Sequence, residues 1–138
     1  MWSGVMPAKN FINQTYLEEI VKIVDNLASF GIYTLIDLHQ DMLSSNFESY
    51  DGAPSWILDE LPNSKFQFPW PLKNKTIDLS LFAAYLTEPC GFAFQCLYKN
   101  TNNFGSYFNQ YWATIAKTFK NNSAILGYEL INEPWAGI

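Results

Sequence analysis

Two stretches constrain this chain more than anything else in it. Residues 32–38 and 124–131 are almost wholly apolar, rich in β-branched and aromatic side chains, and each follows a segment with helical apolar spacing. A strand with one wet face would alternate polar and apolar residues. A near-continuous apolar run after an amphipathic helix instead reads as a buried parallel strand. The first helix is expected over 13–30, where Leu17, Ile20, Val21, Val24, Leu27 and Ala28 share one face. Glu18, Glu19, Lys22, Asp25 and Asn26 lie mainly off that face. Asn13 or Thr15 can cap its start, and Gly31 suits its end. The second helix is expected over 104–120, with Phe108, Tyr111, Trp112, Ile115, Ala116 and Phe119 on its apolar face and Asn121-Asn122 as its stop. A short helix is expected at 79–86. Helix, strand, long excursion, helix, strand is an α/β order.

The excursion over residues 39–79 lacks sustained periodicity. A loop this long in a compact domain is usually functional. Its aromatics, Phe47, Tyr50, Trp56, Phe66, Phe68 and Trp70, suit the wall of a binding site, the alternative being that they simply cover the domain. Composition narrows the partners. Of 138 residues, 17% are aromatic, which excludes a disordered chain. The net charge of −5 gives no electrostatic reason to bind nucleic acid, or to dock on anionic lipid through a basic patch. The most apolar stretch, residues 79–98, is broken by Glu88, Pro89 and Gly91, so no transmembrane segment is expected. The first residues lack the basic start and apolar run of a signal peptide.

Cys90 and Cys96 stand close enough in sequence for a small disulfide loop in an oxidising compartment; two buried thiols are the alternative. Asn13, Asn74 and Asn121 open Asn-x-Ser/Thr sequons. Together they lean toward a secreted or lysosomal parent, whose signal peptide would lie upstream of Met1.

Chemistry is expected where the strands stop, because catalytic groups of parallel α/β folds cluster beyond the carboxyl ends. The first run ends in Asp37, His39, Gln40 and Asp41, and the second in Asn132 and Glu133. Period-two alternation puts Asp37, His39 and Asp41 on one side. A metal site would need more nitrogen or sulfur ligands than this segment offers, so no metal or other cofactor is expected. Pro134 should hold Glu133 extended and stop the strand. Strict alternation cannot aim both Asn132 and Glu133 inward, so a bulge or twist must re-aim one of them. Glu129 lies roughly 13 Å down the same strand. That exceeds the separation of about 5–9.5 Å that paired catalytic carboxylates keep, so Glu129 is not expected to partner Glu133.

Leu130-Ile131-Asn132-Glu133-Pro134 resembles the Asn-Glu-Pro signature of glycoside hydrolase family 5 and its clan, which are (β/α)₈ barrels. Residues 31–41 resemble the third-strand segment of the endoglycoceramidase-like branch. Residues 2–5 resemble the end of the second strand, and residues 52–56 a loop of that branch. Tyr111-Trp112 and residues 126–135 fit as well, so the resemblance covers nearly the whole chain.

The resemblance implies retaining hydrolysis of a β-glycosidic bond, in that branch between oligosaccharide and ceramide. Glu133 matches the general acid/base. Asn132 matches the residue that bonds the sugar 2-hydroxyl, Asp37 and His39 match residues lining the −1 sugar subsite, and Trp135 matches a substrate-binding position. The implied partner is a glycosphingolipid or oligosaccharide, with room for peripheral contact with lipid. The family nucleophile, a glutamate on the seventh strand, has no match here: Glu18, Glu19, Glu48, Glu60 and Glu88 lie in no corresponding motif. A whole barrel needs about 250 residues. Residues 1–138 are therefore expected to be an internal part of one catalytic barrel, covering about strands two to four and inactive alone. Two alternatives stand beside this: another family 5 activity such as an endo-β-glucanase, and a non-catalytic carbohydrate- or glycolipid-binding module.

Overall fold

The computed structural model describes residues 1–72 and 83–138. Its elements in chain order are α1 (Trp2–Val5), α2 (Gln14–Ser29), β1 (Thr34–Asp37), α3 (Ser55–Asp59), α4 (Glu88–Tyr98), α5 (Phe104–Phe119) and β2 (Ile125–Glu129), with short 3₁₀ turns between them. The two strands pair in parallel, Leu35 opposite Gly127, Ile36 opposite Tyr128 and Asp37 opposite Glu129. This is the α/β arrangement read from the two apolar runs.

The two long helices form where their apolar spacing puts them. The side chain of Asn13 accepts from the Tyr16 N–H, so Asn13, not Thr15, caps α2. Gly31 ends the helix at φ +74°, its N–H reaching Ala28 O at 2.9 Å. Phe104, Tyr111, Ile115 and Phe119 of α5 are buried. Trp2 packs into this face, its ring 5.9 Å from Phe104 and Tyr111 and 5.7 Å from Phe108. The strands are covered unequally. Ile36 and Leu38 are buried, whereas Leu35 is 50% and Leu126 72% exposed, so the pair shows one open apolar face.

Four expectations change. Residues 2–5 form a helical turn rather than the end of a strand. Three of the six named aromatics of the excursion pack inward: Phe47 is buried against Phe68, and Trp56 meets Tyr107 edge-on while its Nε1 donates to Met6 O. Only Tyr50, at 95% exposure, and the stacked Phe66–Trp70 pair remain outward candidates for a binding wall. Third, residues 88–98, read only as a broken apolar stretch, are α4. Pro89 sits in its first turn, where a missing N–H costs nothing, and Pro89, Cys90, Ala93, Phe94 and Leu97 are buried. Gly91 leaves room where the final residues cross the helix: a Cβ there would meet Ile138 Cγ2 at 2.8 Å, so the exposed Ile138 side chain would have to shift.

The fourth, which decides between a disulfide and two buried thiols, follows from the third. Cys90 and Cys96 are six residues apart on one helix, hence about 9 Å along its axis. Disulfide Cα atoms lie within about 7 Å, so the Cys90–Cys96 loop cannot close. Both thiols are free and buried, Cys90 Sγ lying 3.6 Å from Met42 O. Burial pushes the Cys90 thiol up to about 12.

Ala83–Leu86 is a 3₁₀ turn; the rest of the short helix expected over 79–86, and the Asn74 sequon, lie outside the described residues. Asn121 is exposed at the end of α5. Among the described residues no helix is long and apolar enough to cross a membrane.

The thiol assignment is checked by titration without reductant: two thiols should react in denaturant and neither quickly in the native protein. Loss of both thiols in denaturant, with recovery on reduction, would contradict it.

Candidate active site

The parallel register brings the two polar strand ends side by side. The Leu38 N–H donates to Glu129 O at 3.1 Å and the Asn132 N–H to Leu38 O at 3.4 Å, so the pairing carries past the strands into the polar segments. Asp37, His39, Gln40 and Asp41 thus stand beside Asn132 and Glu133.

On the first strand the expected shared side is observed. Asp37 Oδ2 lies 2.9 Å from His39 Nδ1, and Asp41 Oδ2 lies 3.9 Å from Nε2. A carboxylate can only accept, so Nδ1 carries the hydrogen and Nε2 is left facing Asp41. The Asp37 hydrogen bond, with the negative charges of Asp37, Asp51 and Asp41, favours the imidazolium and raises His39 above its ordinary 6.5, against a smaller opposing effect of burial. The other Asp37 oxygen, Oδ1, is buried with no partner among the described residues. Asp51 braces the cluster from the excursion: its Oδ1 accepts from the Asp41 N–H at 2.9 Å and the Ser49 hydroxyl at 3.0 Å. Donor atoms of His39, Asp41 and Asp51 fall within 4.8 Å of one another. One imidazole nitrogen with two hard carboxylates has fewer nitrogen or sulfur ligands than a zinc centre usually takes.

On the second strand Glu133 departs from expectation. It is not extended before Pro134 but left-handed, at φ +42°. This is the local twist that alternation required, and it lies in a region that residues with a side chain seldom adopt. The Glu133 side of the site is exposed. Glu129, opposite Asp37, is exposed as well.

Asn132 is oriented by the first strand. The Gln40 N–H donates to its Oδ1 at 2.6 Å. That contact fixes which amide atom is which, and leaves the Nδ2 donors without a partner among the described residues. Trp135 stacks on Tyr85, with ring centroids 5.4 Å apart, and the Tyr98 hydroxyl donates to its carbonyl. Burial pushes the Tyr85 phenol up, so Tyr85 stays a neutral donor. From α5, Trp112 Nε1 donates to Leu130 O at 3.0 Å and steadies the approach to Asn132.

The structure therefore brings together Asp37, His39, Asn132, Glu133 and Trp135 at one end of the strand pair. Cys90, Cys96, Asn13 and Asn121 lie elsewhere. Sequence reasoning placed Gln40 in the polar end of the first run but gave it no role, and missed Tyr85. The one signal for Gln40 was a long polar side chain between two acidic positions, on the side opposite to theirs.

Comparison with known proteins gives matches over this whole region. The family model described as Cellulase (glycosyl hydrolase family 5) matches residues 1–137. An endoglycoceramidase of Cyanea nozakii is 38% identical and one of Hydra vulgaris 36% identical, each aligned over 99% of this chain. The chain spans 29% of the length of these two curated relatives. The structure of endo-glycoceramidase II from Rhodococcus sp. in a ganglioside GM3 complex is 26% identical, with a TM-score of 0.74, over 99% of this chain and 31% of that one.

Because the folded state raises His39, the Asp37–His39 pair contributes stability fully below the unfolded value, near 6.5, and loses it as pH rises through the raised folded value. An NMR titration should place the His39 midpoint above 6.5, and Asp37→Asn should lower it. A midpoint unmoved by that substitution would contradict the pairing.

Proposed function

The chain belongs to glycosyl hydrolase family 5, and we propose that it supplies the acid/base half of a retaining endoglycoceramidase-type glycosidase. In this reading residues 1–138 are part of one (β/α)₈ catalytic domain, and the substrate is a glycosphingolipid cut between oligosaccharide and ceramide. Glu133 protonates the leaving oxygen and then takes a proton from water. The open Nδ2 donors of Asn132 hold the sugar 2-hydroxyl, a contact that strengthens as the transition state forms. Asp37 and His39 line the sugar subsite next to the scissile bond, with Asp37 fixing the imidazole tautomer. Trp135, backed by Tyr85, offers an aromatic face to the sugar.

The observation that carries this reading is the pairing of the two strand ends. It sets Asn132 and Glu133 beside Asp37 and His39, with the Asn132 amide already oriented as a donor. The endoglycoceramidase relatives support the glycolipid substrate. The nucleophilic carboxylate comes from outside residues 1–138, so the isolated segment has negligible turnover. The same reading puts the full-length protein in the secretory pathway, with Asn121 open to a glycan.

A β-glucanase would keep Glu133 and change the substrate, so cellulose and a fluorescent glycosphingolipid are to be tested side by side on the full-length protein. Glycolipid cleavage with none of cellulose is expected, and the reverse would contradict the substrate assignment. Glu133→Gln should lower glycolipid turnover about 10²–10⁴-fold. Unchanged turnover would remove Glu133 from its role.

A further inference from the structure

Gln40 is fully buried at the centre of this site, yet none of the roles above falls to it. Its side-chain amide is saturated. Nε2 donates to Asn132 O at 2.8 Å and Glu133 O at 3.2 Å, while Oε1 accepts from the Leu43 N–H at 2.7 Å and lies 3.3 Å from the Tyr85 hydroxyl. Both N–H donors and both acceptor positions of the amide are thus in use.

The two carbonyls that Nε2 grips belong to the peptide groups on either side of the Glu133 Cα. Holding both planes fixes the two soft dihedrals of that residue. Glu133 needs such a restraint: its φ of +42° is unfavourable for a residue with a side chain, and Pro134 further disfavours helical conformations at the preceding position. Left to local preference, the backbone would relax toward the extended region and swing the carboxylate to the other side of the chain. The backbone N–H of the same Gln40 orients the Asn132 amide. One residue on the first strand therefore sets both groups on the second.

We propose that Gln40 is the positioning residue for the acid/base: its amide clamps the peptide groups flanking Glu133 and so aims the proton donor at the leaving oxygen. The proposal rests on the reading of Glu133 given above. A mis-aimed acid harms cleavage of a poor leaving group, such as ceramide, far more than cleavage of one that departs without protonation.

The test uses the full-length protein carrying this chain, with Gln40→Met (similar length, no polar atoms) and Gln40→Glu (acceptor kept, donor replaced). Each is assayed on a fluorescent glycosphingolipid and on a 2,4-dinitrophenyl β-lactoside, with thermal melting alongside and Glu133→Ala as control. The glycolipid kcat/KM should fall about 100-fold in both Gln40 variants, as for a reacting group displaced by about an ångström. The dinitrophenyl kcat/KM should fall far less, keeping only the loss that passes through Asn132, whose 2-hydroxyl contact serves both substrates. An equal fall on both substrates, no fall on either, or loss of the fold in both variants would overturn the proposal. A parent inactive on both substrates, or a Glu133→Ala variant as active as the parent on glycolipid, would instead overturn the reading of Glu133 and with it the clamp.

Discussion

Everything at this site depends on the parallel pairing of two short strands. β1 and β2 are joined over only a few residues, but the pairing continues through Leu38 and Asn132 into the segments where polar side chains begin. Parallel strands point their carboxyl ends the same way. Groups separated by 92 residues, Gln40 and Asn132, thereby become hydrogen-bonded neighbours. An antiparallel or shifted pairing would send the acidic cluster and the Asn-Glu pair to opposite ends, or to opposite faces. The helices serve that register. α5 reaches the end of β2 through Trp112, and α4 holds the residues after Glu133 through Tyr98 and the close approach at Gly91.

The site also concentrates unfavourable local choices that the surrounding structure outweighs. A left-handed residue with a side chain costs roughly 1–3 kcal/mol. A buried polar group left without partners costs a similar amount, about 1–3 kcal/mol. Gln40 meets both demands at once, since burying its amide is tolerable only because every donor and acceptor is used, and two of those bonds hold the strained residue. The Asp37–His39–Asp41 row works differently: it is more open, its partners are charged, and it sets a tautomer rather than a backbone.

Periodic features were legible from sequence. The apolar faces of residues 13–30 and 104–120 and the shared side of Asp37, His39 and Asp41 follow from repeats of 3.6 or 2, and the two strands from their near-continuous apolar runs. Features that depend on distant partners were not. Pro134 argues locally for an extended Glu133, and the tether from Gln40, 93 residues away, opposes that. α4 escaped because it is buried on most sides and so lacks an apolar stripe, and because Pro89 and Gly91 read as breakers when one opens the helix and the other admits the crossing chain. Trp2 to Val5 gave the wrong element because four residues carry no period. The aromatics of the excursion were misjudged since residue type does not say which way a ring faces: Phe47 and Trp56 face the core.

The central claim is that this pairing aims Glu133 and Asn132 at one sugar. A crystal structure of the full-length protein with a non-hydrolysable glycolipid analogue tests it most directly. Glu133, still at positive φ, should place a carboxylate oxygen within hydrogen-bond reach of the glycosidic atom, with Asn132 Nδ2 on the 2-hydroxyl. An extended Glu133 turned away from the bond, or a sugar seated elsewhere than between the two strand ends, would contradict it.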